Sequence, residues 1–247
     1  MTRYAVKTRA DSPELRKAAM AIEQAAWSAL GFLNFTRAHF AHYQELLEEH
    51  GDCQLCLVDE ATGYPVAVGN CVPVACSFDN LPPEGWDWIV ESAANDRVAT
   101  KNALGALAIS VPGIHRGKGL ARFMIEEFRK LAQRKGLDGV IAPVRPSAKH
   151  RHPFIPMEAY LGWTDAQGRA YDPWLRSHVA AGGKIIKPAE RSMIVDEPVG
   201  FWEMWSGRTF AQTGDYAVEG ALAPVSIDLE RGLGRYVEPN VWFAYAA

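Results

Sequence analysis

A strand, a glycine-rich turn, a helix and a second strand follow one another within about 40 residues, which constrains the fold more than any other part of the chain. Leu104–Val111 is a nearly continuous apolar run, which is typical of a buried central strand. Leu120–Gln133 is an amphipathic helix that ends at Lys135-Gly136, and Val140–Val144 is a second strand. This order predicts two parallel strands joined by a right-handed crossover.

The chain before this unit predicts a short strand, two helices and a hairpin. Ser12-Pro13 places a capping residue and a proline at a helix start. The turn-like residues 60–63 join two strand-like runs. Residues 78–101, which contain Pro82-Pro83, are expected to be mostly loop. The predicted elements are a strand at Arg3–Arg9, helices from Ser12 to about Leu30 and at Asn34–His50, and strands at Cys53–Asp59 and Val66–Ala75.

The pattern changes after Val144. Residues 145–171 open with a basic, proline-containing segment, Arg145–Pro153. Asp172-Pro173 then predicts a helix start, and Gly182-Gly183 its end. The remaining sequence predicts strand pieces at Lys184–Ile186 and Met193–Val195, helical turns at Val199–Ser206, and further strands separated by Gly and Pro.

Composition excludes several classes of protein. The chain has 247 residues, of which 48% are hydrophobic, a fraction typical of a globular protein rather than a disordered one. Its 26 Lys and Arg against 29 Asp and Glu give a net charge of −3, which argues against general nucleic-acid binding. No window approaches the roughly 18 consecutive apolar residues of a membrane span, and the first residues lack a secretory leader. We therefore expect a cytoplasmic protein that contacts neither membrane nor nucleic acid.

The four cysteines are Cys53, Cys56, Cys71 and Cys76. Cys53 and Cys56 have the spacing of a zinc or redox pair. They lie in a strand-like run, however, where side chains three residues apart point to opposite faces. Cys71 and Cys76 do not form a second such pair. We therefore expect four reduced thiols and no metal site.

The turn between the first strand and the helix, Val111–Ala121, predicts an anion site. A glycine-rich turn that enters a helix leaves backbone N–H groups unpaired, and the helix dipole adds partial positive charge there. The spacing does not fit an ATP-binding P-loop, because Gly113 and Gly117 are one residue too close and Gly119 stands in place of the magnesium-binding hydroxyl. It does not fit a dinucleotide fold either, because Arg122 replaces the third glycine.

The run Arg116-Gly117-Lys118-Gly119-Leu120-Ala121 resembles the coenzyme A loop of the GCN5-related N-acetyltransferase (GNAT) superfamily. The resemblance covers residues 103–144 well and extends less clearly to the N-terminus. It implies an α/β fold in which helices flank a mixed, mostly antiparallel central sheet. It also implies one domain, 1–247, with a CoA-binding half at 1–144. The enlarged half at 145–247 would carry an insertion that covers the acceptor.

The resemblance also assigns residues to acyl-CoA, which is a substrate rather than a resident cofactor. The first strand would offer backbone groups to the pantetheine arm, and the turn would wrap the pyrophosphate. A further position after the second strand matches the region of the family's usual Asn. The residues so assigned are Ile109, Val111, Arg116, Gly117, Lys118, Gly119, Leu120, Ala121 and Ser147.

Acyl transfer to an amine requires a base for the amine and an acid for the leaving thiolate. Family members often carry a Glu or His on the central strand as the base, but only Ser110 is polar in Leu104–Val111. The family's acid, often a Tyr, matches His178, whose ordinary pKa suits proton donation. His178 could instead satisfy the last carbonyls of its helix.

The acceptor is less determined by the sequence. The basic segment after Val144 could reach the 3′-phosphate of the cofactor, hold an anionic acceptor such as an amino-acid carboxylate, or be a solvated loop. We predict an N-acyltransferase that moves an acyl group, expected to be acetyl, from CoA to a small-molecule amine by direct attack. Alternatives are an enzyme that takes longer acyl chains from CoA or carrier protein, and a non-catalytic acyl-CoA sensor. A homodimer stays open.

Overall fold

The predicted strand–turn–helix–strand unit forms the middle of a nine-stranded mixed sheet in a computed structural model, which describes residues 3–247. The strand order is β1-β2-β3-β4-β5-β9-β8-β7, and β6 pairs with the other edge of β9. Only β4 and β5 are parallel; every other neighbouring pair is antiparallel. The strands are β1 (Tyr4–Thr8), β2 (Gln54–Asp59), β3 (Pro65–Val74), β4 (Ala103–Ser110), β5 (Gly139–Val144), β6 (Lys184–Pro198), β7 (Gly214–Tyr216), β8 (Val225–Asp228) and β9 (Leu233–Ala246).

Within residues 3–247, seven α-helices flank the sheet. The Ser12 side chain caps the first helix by accepting a hydrogen bond from the Leu15 backbone N–H, as its sequence position predicts. A 3₁₀ segment, Ser28–Phe35, and a π turn, His39–Tyr43, connect the first two helices. The helices are α1 (Pro13–Trp27), α2 (Gln44–Glu49), α3 (Gly85–Asn95), α4 (Leu120–Arg134), α5 (Met157–Leu161), α6 (Pro173–Ala180) and α7 (Val199–Ser206).

The expectation of a loop at 78–101 is wrong, because α3 occupies its centre. Trp86, Ile89, Val90 and Ala93 repeat at helical spacing and are all buried, so this face packs on the sheet. Pro82-Pro83 lies just before the helix and does not interrupt it. The prolines suggested a loop, but the apolar residues that follow them repeat at the spacing of a helix.

The two faces of the sheet carry different helices. On one face, Met124 and Phe128 of α4 pack with Leu175 of α6 and Phe243 of β9. On the opposite face, Trp86 and Ile89 of α3 pack with Ile141 and Trp242. Leu15 and Ala19 of α1 pack on Cys56, Val58 and Val68, on the face that α4 leaves open. We call the side of the sheet that carries α4 and α6 the α4 face, and the side that carries α1 and α3 the α3 face.

All four cysteines are free. Cys53 packs with the α4 face and Cys56 with α1 on the α3 face, so the two thiols point to opposite sides of the sheet as expected. Among residues 3–247, no group of three or more His, Cys, Asp and Glu side chains is arranged to hold a metal ion. Within the same range, none of the helices combines the length and the apolarity that a bilayer crossing requires.

β9 ties the C-terminal half of the chain to the N-terminal half. Residues 241–246 of β9 pair with β5, while residues 233–236 pair with β8 on the same edge. β6 pairs with the opposite edge of β9 through register shifts near Ile186 and near Glu190. These shifts make one irregular strand out of the two strand pieces that the sequence predicts.

The Gly139→Ala substitution should destabilise this junction strongly. A Cβ at Gly139 would overlap the backbone carbonyl oxygen of its neighbour Tyr245, and a backbone atom within a paired strand cannot move aside cheaply. We expect the free energy of unfolding to fall by ~2–4 kcal/mol in chemical denaturation. Gly200→Ala is the matched control: nothing lies near its Cβ position in α7, so it should change stability by less than ~1 kcal/mol and in the favourable direction. Equal effects at the two glycines would contradict this account.

Candidate functional site

β4 and β5 pair over only three residues and then diverge. Ala103, Leu104 and Gly105 face Gly139, Val140 and Ile141, and no later residue of either strand pairs with the other. The facing edges of both strands beyond this point therefore leave the parallel ladder and offer backbone groups to a ligand. The opening faces the carboxyl ends of the two strands, where the glycine-rich turn and the segment after Val144 begin.

A β-bulge lies where the strands diverge. Asn70 of β3 faces Ala108 while Cys71 faces Ala106, so Leu107 has no partner on β3. Trp86 of α3 reaches this position, and its indole Nε1 donates a hydrogen bond of 2.9 Å to the Leu107 carbonyl. The α3 face of the bulge is therefore covered by a tryptophan that satisfies its backbone.

The glycine-rich turn has the backbone conformation that the sequence implies. Gly117 and Gly119 both have φ of +76°, a left-handed conformation that side-chain-bearing residues rarely adopt. Gly119 precedes α4, and no side chain caps this helix start, so its first N–H groups are open to a ligand. No atom outside the neighbouring residues lies within 4 Å of the Cβ position of either glycine. The turn is thus an open anion cradle at the end of β4.

A cleft of about 600 Å³ begins at this turn and runs between α4 and the end of α6. Of the two arginines of α4 that line it, Arg129 is paired with Glu126 at 3.3 Å, and Arg122 contributes positive charge that no carboxylate of residues 3–247 pairs with, while the end of α6 supplies small residues that leave the cleft open. A nucleotide-sized anionic ligand could lie here with its phosphates at the helix start. The cleft is lined by Gly119, Arg122, Phe123, Glu126, Arg129, Ala180, Ala181 and Gly182.

The residues predicted to bind acyl-CoA lie at one edge of the sheet. Ile109 and Val111 are half-buried at the end of β4, and Arg116–Ala121 follows directly into α4. The Arg116 Nε donates to the Val111 carbonyl at 3.3 Å, which closes the turn on itself. Ser147 is exposed three residues after β5, across the divergence.

Asp172 fixes the segment that carries Ser147. Its carboxylate accepts hydrogen bonds from the backbone N–H and hydroxyl of Ser147, from the backbone N–H of Ala148, and from the Tyr160 hydroxyl at 2.9 Å. It also caps α6 through the N–H groups of Trp174 and Leu175. The buried side chain of Asp172 thereby holds the end of β5, the 149–171 insertion and α6 in one arrangement.

His178 lies in a different setting from the one its predicted role requires. It is buried on α6, its Nδ1 is hydrogen-bonded to the Tyr245 hydroxyl, and its Nε2 meets no partner among the described residues. Tyr245 faces Val140, so His178 lies over the paired end of β5 rather than over the divergence. Burial lowers the pKa of His178 to about 3, which leaves a neutral ring at neutral pH. Its role as the acid stays a prediction that these surroundings disfavour.

The basic segment after β5 separates into parts with different surroundings. Lys149 is fully buried, and its ammonium donates to the carbonyls of His152 and Leu222 at 2.8 and 2.7 Å. Burial without a carboxylate partner lowers the pKa of Lys149 to about 8. His150 and Arg151 are exposed, whereas Arg145 binds the buried carboxylate of Glu238 at 2.9 Å. The segment is therefore not simply a solvated loop.

Polar and aromatic side chains converge on the α3 face of the divergence. The carboxylate of Glu23 on α1 contacts Arg9 and Asn70, and Asn70 also donates to the Tyr43 hydroxyl at 2.9 Å. Tyr43 in turn packs near the Trp86 ring, with 5.4 Å between ring centroids. Because Asn70 faces Ala108 of β4, this cluster adjoins the bulge.

Two further groups border this cluster. Trp27, one helical turn after Glu23, donates its indole N–H to the Ser110 hydroxyl at 2.9 Å. The His39 ring stacks on Tyr43, with centroids 4.7 Å apart. Sequence reasoning missed these residues because they come from α1, the π turn, β3 and α3, with no shared local motif. The apolar period of α3 was the one local sign that could have identified Trp86.

No protein-family model matches the chain. Over 228 residues it is 35% identical to arginine N-acetyltransferase avaD of Aspergillus versicolor, a match that covers 83% of this chain and 77% of that protein. Two solved structures superpose over 99% of this chain and 98% of their own. The loading GNATL domain of CurA from Lyngbya majuscula has a TM-score of 0.58 at 16% identity, and the GphF GNAT-like decarboxylase in complex with isobutyryl-CoA has 0.54 at 17%.

These similarities confirm the predicted class and the predicted fold: the chain belongs to the GCN5-related N-acetyltransferase superfamily. It is an acetyl-CoA-dependent N-acyltransferase, which moves an acyl group from CoA to an amine. The mixed, mostly antiparallel sheet with flanking helices is the fold that the resemblance implied. Acyl-CoA is accordingly a substrate.

Asp87 of α3 gives this region a pH dependence. One oxygen of its carboxyl group accepts from the Ile194 N–H at 3.0 Å, and the other is buried with no partner among the described residues. Burial raises the pKa of Asp87 to about 7. The unfolded chain releases this proton near pH 3.8, so the stabilising effect of the protonated group is complete below that pH and is lost as the pH rises to about 7.

The Asp87→Asn variant should remove the loss of folding stability that occurs as the pH rises to about 7. We expect its free energy of unfolding to exceed that of the wild type by ~1–3 kcal/mol at pH 7.5, with the difference shrinking towards pH 4. Denaturant unfolding at several pH values measures it. Asp79→Asn, at an exposed position, is the control and should keep the wild-type pH profile. A parallel offset of Asp87→Asn at all pH values would contradict the assignment.

Proposed function

We propose that the chain transfers an acetyl group from acetyl-CoA to a primary amine of arginine or of a closely related basic amino acid. The observation that carries this acceptor is the carboxylate of Glu23 near the bulge of β4: its Oε1 is bound by Arg9 and Asn70, and its Oε2 takes no hydrogen bond from residues 3–247. A carboxylate oxygen without a donor, in a cluster that also contains the Tyr43 and Trp86 rings, suits a cationic acceptor. The similarity to a protein named arginine N-acetyltransferase supports the same acceptor.

The acyl-CoA would lie on the α4 face. We propose that Ile109 and Val111 offer backbone groups to the pantetheine arm, and that the open N–H groups of Arg116–Ala121 hold the pyrophosphate. Arg116 and Lys118 would add positive charge, and Ser147 would border the arm from the β5 side. The open cradle at Gly117 and Gly119 and the cleft along α4 support this placement.

The reaction would take place where β4 and β5 diverge, because the two faces of the sheet meet there. The amine nitrogen attacks the thioester carbonyl carbon, the new C–N bond forms as the C–S bond breaks, and the electron pair leaves with sulfur. The ammonium must lose one proton before attack and the thiolate must gain one after it. On the α3 face, the Glu23 carboxylate, which adjoins the bulge through Asn70, would hold the guanidinium of the acceptor.

The wider setting is also a proposal. We propose that both halves of the chain act as one domain, because β9 pairs with strands of each half. We propose a small-molecule acceptor and a cytoplasmic location, which the four free thiols support. Fractionation of cells that express a tagged chain tests the location, and recovery with the membrane pellet would contradict it. A homodimer stays a prediction.

An acceptor panel tests the proposed function. We expect release of free CoA thiol and a mass gain of one acetyl group on arginine, with kcat/KM at least ~10-fold above that for neutral amino acids, because the carboxylate favours a cation. If acetyl-CoA raises the Tm but releases no free CoA thiol with any amine of the panel, the sensor would instead be favoured. Faster turnover with a long-chain acyl-CoA or acyl carrier protein would favour the longer-chain alternative.

The Gly119→Ala variant should weaken acetyl-CoA binding. An alanine resists φ of +76° and adds a methyl group at the helix start, where the phosphates must approach. We expect KM for acetyl-CoA to rise ~10-fold and KM for the amine to change little. Gly113→Ala in the same turn is the control, since its Cβ position is empty and its φ is not positive. An equal rise in KM for both variants would contradict the cradle.

A further inference from the structure

Arg145 is the first residue after β5, and its guanidinium is held on the α3 face. Its Nε donates to the Glu238 carboxylate at 2.9 Å, and its Nη2 donates to the Gly220 carbonyl. Ile141, four residues earlier on the same side of the strand, packs with α3. Arg145 therefore lies on the face that carries Glu23 and Trp86, not on the face of the CoA cleft.

Glu238 fixes the orientation of this guanidinium. Its side chain has no solvent exposure, and besides Arg145 it accepts from the Tyr236 hydroxyl at 2.8 Å and from Asn240 Nδ2 at 3.2 Å. A buried carboxylate with three donors cannot rotate without losing bonds that water does not replace. Arg145 is thus positioned by a rigid group rather than by solvent.

One end of the Arg145 guanidinium remains available. Among residues 3–247, its Nη1 donates to no protein group, and this atom is not buried. The side chain as a whole is 17% exposed. A guanidinium whose other nitrogens are already bonded presents the remaining N–H groups in a fixed direction, which suits an incoming anion.

Hydrogen bonds connect Arg145 with the bulge of β4. The Trp86 backbone N–H donates to the Ser192 hydroxyl at 2.9 Å, and that hydroxyl donates to Asn240 Oδ1 at 2.6 Å. Asn240 then donates to Glu238, which binds Arg145. The Trp86 indole contacts the Leu107 carbonyl, so the chain spans from the bulge to the guanidinium.

A second path reaches the same region. Gly220, whose carbonyl binds Arg145, packs against Leu30, three residues after Trp27. The Trp27 indole binds the Ser110 hydroxyl at the end of β4. Arg145 thus lies on the β5 side of the divergence, while Glu23, which is paired with Arg9, lies on the side of β4 and β3.

We propose that Arg145 binds the carboxylate of the amino-acid acceptor and thereby selects α-amino acids over simple amines. This inference rests on the proposed function, and it assigns opposite ends of a zwitterionic substrate to Glu23 and Arg145. The other basic residues of the segment do not fit this task. Lys149 is buried and bonded to two carbonyls, and Arg151 is exposed at the end of the 3₁₀ turn that begins at Lys149.

The test compares arginine with agmatine, its decarboxylated analogue, in wild type and variants. In the wild type we expect kcat/KM for arginine to exceed that for agmatine by ~10- to 100-fold, the range of one charge-assisted contact. Arg145→Gln should lose that factor for arginine and keep kcat/KM for agmatine within ~3-fold. KM for acetyl-CoA should not change.

Further variants separate binding from folding. Arg145→Gln leaves Glu238 buried without its partner, so the double variant Arg145→Gln/Glu238→Gln removes both charges and should show the same loss of discrimination. Arg151→Gln, in the same basic segment, is the matched control and should behave as the wild type. Melting curves for each variant report folding independently of turnover.

Two results would overturn the inference while the proposed function stands. The wild type could acetylate agmatine as efficiently as arginine, which requires no variant to establish. Alternatively, Arg145→Gln could reduce turnover of both acceptors by the same factor, as a structural role would. The proposed function itself fails if the wild type acetylates neither acceptor.

Discussion

The structure depends on one constraint: β4 and β5 pair as parallel strands for three residues and then separate. Two contacts keep them apart. At β4, the Trp86 indole hydrogen-bonds the bulge at Leu107. At β5, every residue of the strand pairs with β9. Backbone groups that would otherwise extend this ladder are left for a ligand. The site exists because this ladder is incomplete.

In the proposed function, the separation also divides the substrates between the two faces. The α4 face offers a helix start, two glycines with positive φ and a cleft with arginines, all of which suit phosphates. The α3 face offers Glu23, aromatic rings and Arg145, which suit a small zwitterion. Because the two sets of residues lie on different faces, substitutions in one set need not disturb the other. The fold can therefore accommodate different acceptors while it keeps the same nucleotide-binding residues.

The sequence predicted those parts of the fold that local patterns encode. The βαβ unit, the hairpin and the caps at Ser12 and Asp172 each depend on a few adjacent residues, and the structure contains all of them. It did not predict α3, because Pro82-Pro83 is typical of a loop and the apolar period after it was not considered. It did not predict the residues of the proposed acceptor side either, because they are up to 215 residues apart, from Glu23 to Glu238. Such clusters depend on sheet order, which no local pattern records.

The position of β9 has a consequence for how the protein is made. β9 follows every other strand in the sequence, yet it lies inside the sheet between β5 and β6. A nascent chain on the ribosome therefore exposes an edge of β5 and an unfilled gap until β9 emerges. Glu238 is part of that strand, so the proposed acceptor side is completed only when the last strand of the sheet has been synthesised. If the N-terminal half folded alone, it would contain the proposed nucleotide-binding turn but would lack Glu238, which positions the proposed acceptor-binding residue Arg145.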